Sequence, residues 1–164
     1  MHHPVTEAAI NAVRDELVAS GVLSDAVAAK VKTDHILRFF DTPLGQQMLA
    51  NADSVHREEP FALLLPGSTI FDELRGDQQD ILVHGIMDAY IQTPNQLILL
   101  DYKTDHIGKG GEVAIMQRYS GQLRLYARAL AAATDRQVDA SYLVLLESGH
   151  VLALNNNAGY DKKR

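Results

Sequence analysis

The sequence predicts an α/β fold, with a helical lead-in followed by a central sheet of about five strands crossed by one long helix. Three observations carry this. Residues 5 to 51 place Ile10, Val13 and Leu17, then Val27, Val31, Ile36, Phe39 and Phe40, at the three- to five-residue intervals of amphipathic helices. From residue 54 the pattern changes to short apolar runs cut by turn residues. One helical stretch, 112 to 133, then separates those runs from two more.

Each element has a local reason. Gly21 ends the first helix; Ser24 before Asp25 and Thr42 before Pro43 supply N-cap and first-turn chemistry for helices starting near 25 and 43. Strands are expected over 54–65, 81–92 and 97–103. Their separators are Pro66-Gly67, the polar stretch Gly76 to Gln79, and the turn Thr93-Pro94-Asn95-Gln96. Gly108-Lys109-Gly110-Gly111 leads into the long helix. Strands at 140–147 and 151–154 follow, around Ser148-Gly149. The organisation expected is a lead-in over 1–53, a core over 54–154 and a polar tail over 155–164.

Composition excludes several classes. With 164 residues and 46% hydrophobic content, the chain can bury a core of its own. It has no cysteine, which removes disulfides, thiolate catalysis, zinc–thiolate sites and cysteine-ligated iron–sulfur clusters. No apolar run reaches the roughly 18 residues of a membrane span, and MHHPVTEAA lacks the parts of a signal peptide. A soluble, cytoplasmic protein is expected. A net charge of −6 argues against a grip on nucleic acid by bulk charge alone. Such a partner would need a local basic lining or a neighbouring domain.

The chemistry concentrates in HGIMDAYIQTPNQLILLDYKTDH, residues 84 to 106. If Thr93 to Gln96 form the turn, Gln92 pairs with Leu97, Tyr90 with Leu99 and Asp88 with Asp101. Opposed residues sit about 4.5–5.5 Å apart, where like charges repel. Lys103, two residues beyond Asp101, shares its face and would lie opposite Ile86. Ile98, Leu100 and Tyr102 point the other way. A solvated sheet face also carries Asp and Lys; here, however, Leu97 and Leu99 share that face, as in the floor of a cleft. Paired carboxylates suit a hard cation such as Mg²⁺ or Mn²⁺, and a lysine beside them suits metal-assisted phosphodiester hydrolysis. Two carboxylates this close imply that at least one has a raised pKa.

Gly85-x-x-Asp88, then Asp101-Tyr102-Lys103-Thr104, then Tyr119-x-x-Gln122-x-x-x-Tyr126 resembles, in that order, the PD-(D/E)XK nucleases of the RecB type. Within these, it is similar to the C-terminal nuclease domain of the AddA/RexA family of helicase–nuclease subunits. The resemblance runs from about residue 25 to 147 and includes ILRFFDTPLGQQML and VHREEPFALLLPG. It implies a restriction-endonuclease-like core with a mixed sheet. Asp88 and Asp101 would be metal ligands, the backbone carbonyl of Tyr102 a further one, and Lys103 the catalytic lysine. Gln122 and Tyr126 would line the active site and approach DNA, with Lys109, Arg118 and Arg124 among the groups that meet phosphates. Ile115, Tyr119, Gln122 and Tyr126 share one helical face, which for the tyrosines is equally explained by core packing. Glu58 matches a recurrent glutamate whose role is a salt bridge or metal binding.

The implied function is cleavage of single-stranded DNA in double-strand-break repair, with Mg²⁺ as cofactor and Mn²⁺ as substitute. The implied partners are DNA, the helicase domains of the same full-length chain and a partner of the AddB/RexB type. The related AddB and Cas4 kinds hold an iron–sulfur cluster on four cysteines, which this sequence lacks. The sequence also departs from the family in lacking an upstream Gly-Thr-x-x-His segment that carries a metal-binding His. His2 and His3 have no such context. His35 is expected to be structural, His84 and His106 flank the hairpin outside its charged register, and His56 and His150 have no site. A truncated fragment, weak or inactive alone, is therefore expected. Two alternatives stay open: a catalytically silent module of the same fold that guides DNA or binds a partner, and an unrelated α/β interaction domain whose hairpin pairs in another register.

Overall fold

The computed structural model describes residues 5–69, 79–108 and 110–154. The expected polar tail, Lys109, His2, His3 and the polar stretch from Gly76 fall partly or wholly outside them. Among these residues five α-helices and five strands run in the order α1 Glu7–Ala19, α2 Asp25–Ala28, α3 Thr33–Phe40, α4 Pro43–Ala50, β1 Val55–Pro66, β2 Asp80–Gln92, β3 Leu97–Lys103, α5 Gly111–Thr134, β4 Ala140–Leu145 and β5 His150–Ala153.

The caps read from the sequence form. Ser24 accepts from the Val27 N–H and Thr42 from the Gly45 N–H, with Pro43 in the first turn of α4. Gly21 takes φ 73°, the left-handed conformation that closes α1. The helix expected from 25 is broken in two: α2 ends in tight turns from Lys30 and Val31 to Val27 and Ala28, and Lys32 is extended before α3 begins. β-branched Val27, Val31 and Thr33 weaken helix across this break.

The strands form one sheet in sequence order, β1-β2-β3-β4-β5. All neighbours are antiparallel except β3 and β4, so the sheet is mixed as expected. Parallel neighbours need a crossover, and α5 supplies it. It lies on one face, where Ile115, Leu123 and Leu130 pack with Met87, Tyr90, Leu97, Leu99, Leu143 and Leu145. On the other face Phe39, Leu44 and Met48 of α3 and α4 cover Ala89, Ile91, Ile98, Leu100 and Val144. β3 is thus buried on both sides, which explains four consecutive apolar residues before Asp101.

The joint between α3 and α4 is tight. A Cβ on Gly45 would meet the Phe39 carbonyl oxygen at 2.2 Å and the Phe40 Cα at 2.6 Å, both backbone atoms. Gly45→Ala is expected to destabilise the chain by about 3 kcal/mol or more, because backbone cannot rotate aside as a side chain can. Chemical denaturation measures it; an unchanged midpoint would show that α4 shifts freely on α3.

Candidate metal-ion and nuclease site

The hairpin register is the expected one near the turn, with Gln92 opposite Leu97 and Tyr90 opposite Leu99. It ends sooner than period-2 counting predicts. The last pair is Ala89 with Leu100, so Asp88 and Asp101 are not ladder partners, and Lys103 does not pair with Ile86, which is mostly exposed. The reason lies one strand over. Between Arg57↔Ala89 and Glu59↔Met87 the pair Glu58–Asp88 is missing, and Glu58 has φ 52°, an unusual conformation for a residue with a side chain. Across this irregularity the alternation of faces shifts by one: Met87 and Tyr90, three residues apart, both join the core under α5. β2 and β3 part here like the arms of a fork.

The candidate site occupies the fork. Asp88 Oδ2 accepts a hydrogen bond from the Tyr102 N–H at 2.8 Å, replacing the lost ladder bond. In an extended strand the N–H and C=O of one residue point to the same side, and those of the next residue to the other. The Lys103 carbonyl accepts from Leu146 beyond β4, so the Tyr102 carbonyl is directed towards the fork. Asp101 is buried on the α5 face, and its Oδ2 meets the Lys103 ammonium at 2.7 Å. That oxygen has this ion pair but no well-aligned hydrogen bond. Burial raises the Asp101 pKa most; Lys103 opposes the rise and the nearby Asp88 charge adds to it. Asp101 is thus the raised carboxylate, but burial and not the second carboxylate is the main cause. The Tyr102 side chain goes to the opposite face, edge-on to Phe39 at 5.9 Å, with its hydroxyl on Met48 Sδ at 3.5 Å. Burial pushes its pKa up to about 12.

Asp88, bonded to the Tyr102 N–H, and the nearby Asp101 are carboxylates of the kind a hard divalent cation takes. Among the described residues no cluster of three or more His, Cys, Asp or Glu side chains forms that could hold a metal ion. Asp101 Oδ2 is buried with the Lys103 ammonium beside it and no well-aligned hydrogen bond, so among the described residues it keeps lone-pair capacity that a cation could use.

The helix residues separate into two groups. Tyr119 stands over Lys103, with the ammonium 4.8 Å from the ring centre. Gln122 donates to the Tyr126 hydroxyl at 2.8 Å, and Tyr126 packs edge-on against Phe61 at 5.2 Å. Both tyrosines are partly buried against the core, so the core-packing account holds for their rings. The Gln122 amide bonds along α5 and not to Asp88, Asp101 or Lys103. Arg118 is exposed and pairs with Asp105 at 3.0 Å; Arg124 is exposed and bonds Ser120. Glu58 is exposed and marks the irregular strand position. His84 lies exposed on β2, His106 pairs with Glu147 at 3.3 Å, His56 stacks on Tyr90 at 4.5 Å and His150 pairs with Glu112. Asp105, which anchors Tyr119, went unnoticed in the sequence; its only signal was its place two residues after Lys103.

The model of the PD-(D/E)XK nuclease superfamily matches residues 2–160. The chain belongs to this superfamily. Curated relatives of the PD-(D/E)XK chain agree. It is 43% identical over 149 residues to an ATP-dependent helicase/nuclease protein of Levilactobacillus brevis, covering 88% of this chain and 12% of that protein. To the ATP-dependent helicase/nuclease of Pediococcus pentosaceus it is 42% identical over 158 residues, 94% of this chain and 13% of the relative. Its counterpart from Listeria monocytogenes is 30% identical over 166 residues, 98% of this chain and 13% of the relative. The chain therefore spans about an eighth of the length of these relatives. Among the described residues of this nuclease-superfamily fold, no helix is long and apolar enough to cross a membrane.

Proposed function

We propose that this chain is the nuclease domain of a helicase–nuclease protein of the AddA/RexA kind and hydrolyses phosphodiester bonds of single-stranded DNA with Mg²⁺, or Mn²⁺ in its place. The observation that carries the reading is the fork itself, where Asp88 is tied to the Tyr102 N–H and Asp101 to Lys103. Asp88, Asp101 and the Tyr102 carbonyl would hold the cation, which supplies Lewis-acid polarisation and an acidified water when bound. Lys103 brings a fixed positive charge to where the phosphate gains negative charge. Gln122, Tyr126, Lys109 and Arg118 would meet the strand, and Glu58 holds the strand irregularity that places Asp88. The relatives' printed name pairs helicase with nuclease, so DNA, helicase domains of a longer chain and a partner of the AddB/RexB type are the proposed partners.

Two carboxylates hold a readily hydrated ion loosely, and a net charge of −6 leaves little long-range attraction for DNA. The chain alone is therefore expected to cleave slowly. The test is end-labelled single-stranded and duplex DNA incubated with the chain in Mg²⁺, Mn²⁺ or chelator. Slow cleavage is expected, faster in Mn²⁺, stopped by chelator, favouring single strands and falling steeply with salt. Cleavage that persists in chelator would sink the reading. So would a folded chain inert in both metals even at low salt, which would favour the silent DNA-guiding module.

A further inference from the structure

Lys103 is held from two sides. Its ammonium meets Asp101 Oδ2 at 2.7 Å and lies 4.8 Å from the centre of the Tyr119 ring. The ring is anchored at its far end, where its hydroxyl donates to Asp105 Oδ2 at 2.9 Å. The other oxygen of Asp105 pairs with Arg118 at 3.0 Å, and the Arg118 guanidinium lies 5.9 Å from the same ring. Tyr119 and Arg118 come from α5, Asp105 and Lys103 from the end of β3 and the segment after it. The cluster ties those segments together at the mouth of the fork.

We propose that Tyr119 is a positioning residue for Lys103: its ring face holds the ammonium at the Asp101 site, and Asp105 and Arg118 hold the ring. The consequence for rate rests on the nuclease reading above; the placement does not. A lysine is a point charge on a flexible four-carbon stem, so one contact leaves its ammonium free to swing. Its first contact is also contested. Asp101 is the carboxylate offered to the cation, and a divalent ion there takes the lysine's anionic partner and repels the ammonium. An aromatic face attracts the ammonium through its quadrupole and coordinates no hard cation, so that contact survives when Asp101 is engaged. Tyr119 touches no reacting atom in this scheme. It keeps Lys103 within reach of the phosphate while the metal site is filled.

The experiment uses the whole chain. Ring current from Tyr119 should move the Lys103 ε-methylene protons upfield in wild type and, by less, in Tyr119→Phe, which keeps the ring but loses its hydrogen bond to Asp105. In Tyr119→Leu the signal should return to the ordinary lysine position, with the remaining spectrum native. Asp105→Ala, at a partly exposed site outside the core, serves if the leucine variant does not fold; loosening the ring should shrink the shift. In Mn²⁺-dependent cleavage of single-stranded DNA, Tyr119→Leu should lower kcat by roughly three- to thirtyfold with KM little changed. Tyr119→Phe should recover part of the rate, because the ring stays while its hydroxyl anchor is lost. In a Lys103→Ala background, Tyr119→Leu should add nothing, because the two changes break one interaction. An ε-methylene signal identical in wild type and in both the leucine and Asp105→Ala variants would overturn the proposal. Equal slowing by Tyr119→Leu with and without Lys103 would do the same. A wild type that cleaves nothing would overturn the nuclease reading instead, with the spectra still deciding where Lys103 sits.

Discussion

Lys103→Ala is expected to destabilise the chain by about 3–5 kcal/mol and to leave only a residual, still measurable cleavage, the largest combined effect of any single substitution at the site. Asp101 is 1% exposed and its Oδ2 has no other partner among the described residues. Deleting the lysine leaves a buried carboxylate that must either stay charged without compensation or take up a proton. The pH dependence has a definite sign. Burial already raises the Asp101 pKa above 3.8, and Lys103 holds the rise back. A group with a raised folded-state pKa contributes stability that is fully present below the unfolded pKa and is lost as pH rises through the folded value. Wild type should therefore lose this contribution as pH rises above the ordinary carboxylate range. Lys103→Ala should lose more of it and over a window reaching higher pH, since the one group that lowered the pKa is gone. Urea titrations from acid to neutral pH measure both curves. The pair Lys103→Ala with Asp101→Asn should recover much of the stability and none of the activity. If Lys103→Ala parallels wild type at every pH, the ion pair at Asp101 is not the interaction described here.

Removing either carboxylate should reduce cleavage by about 10²–10³ or more, since Lewis-acid assistance is worth several kcal/mol to a phosphodiester transition state. The two positions should differ in stability. Asp88→Asn keeps an oxygen to accept from the Tyr102 N–H, so its fold should stay close to wild type while metal binding is lost; Asp88→Ala orphans that N–H and should be less stable by about 1–3 kcal/mol. Asp101→Asn removes the raised carboxylate and flattens the acid side of the stability curve. Binding of Mn²⁺ to the native state alone should stabilise wild type by about 1.4 kcal/mol at ten times its dissociation constant. Neither aspartate variant should gain this. A melting temperature that responds to Mn²⁺ equally in wild type and Asp101→Asn would place the ion elsewhere.

Sequence by itself determined most of the elements and the hairpin register next to the turn. Apolar period, caps at Ser24 and Thr42, and the turn at 93–96 are local signals, and local signals survive without knowledge of the fold. Leu97 and Leu99 on the face of Asp101 suggested the floor of a cleft, and the structure places Asp101 on that face at 1% exposure. The sequence also placed Asp88, Asp101 and Lys103 near one another, because a tight hairpin makes contacts a matter of counting.

Tertiary structure decided what counting could not. Period-2 logic assumes an unbroken ladder, and the positive φ of Glu58 breaks it by shifting the faces of β1 and β2 beside Asp88. The expected Asp88–Asp101 pair thereby becomes a fork, with Asp88 on the Tyr102 backbone and Asp101 on Lys103. The partition of α5 was likewise hidden. Tyr119, Gln122 and Tyr126 share a helical face in sequence, but a helix crosses a twisted sheet at an angle, so its turns meet different strands. One turn reaches Lys103 and Asp105 and the next reaches Phe61. Contacts between residues distant in sequence depend on that crossing, and no local pattern encodes it.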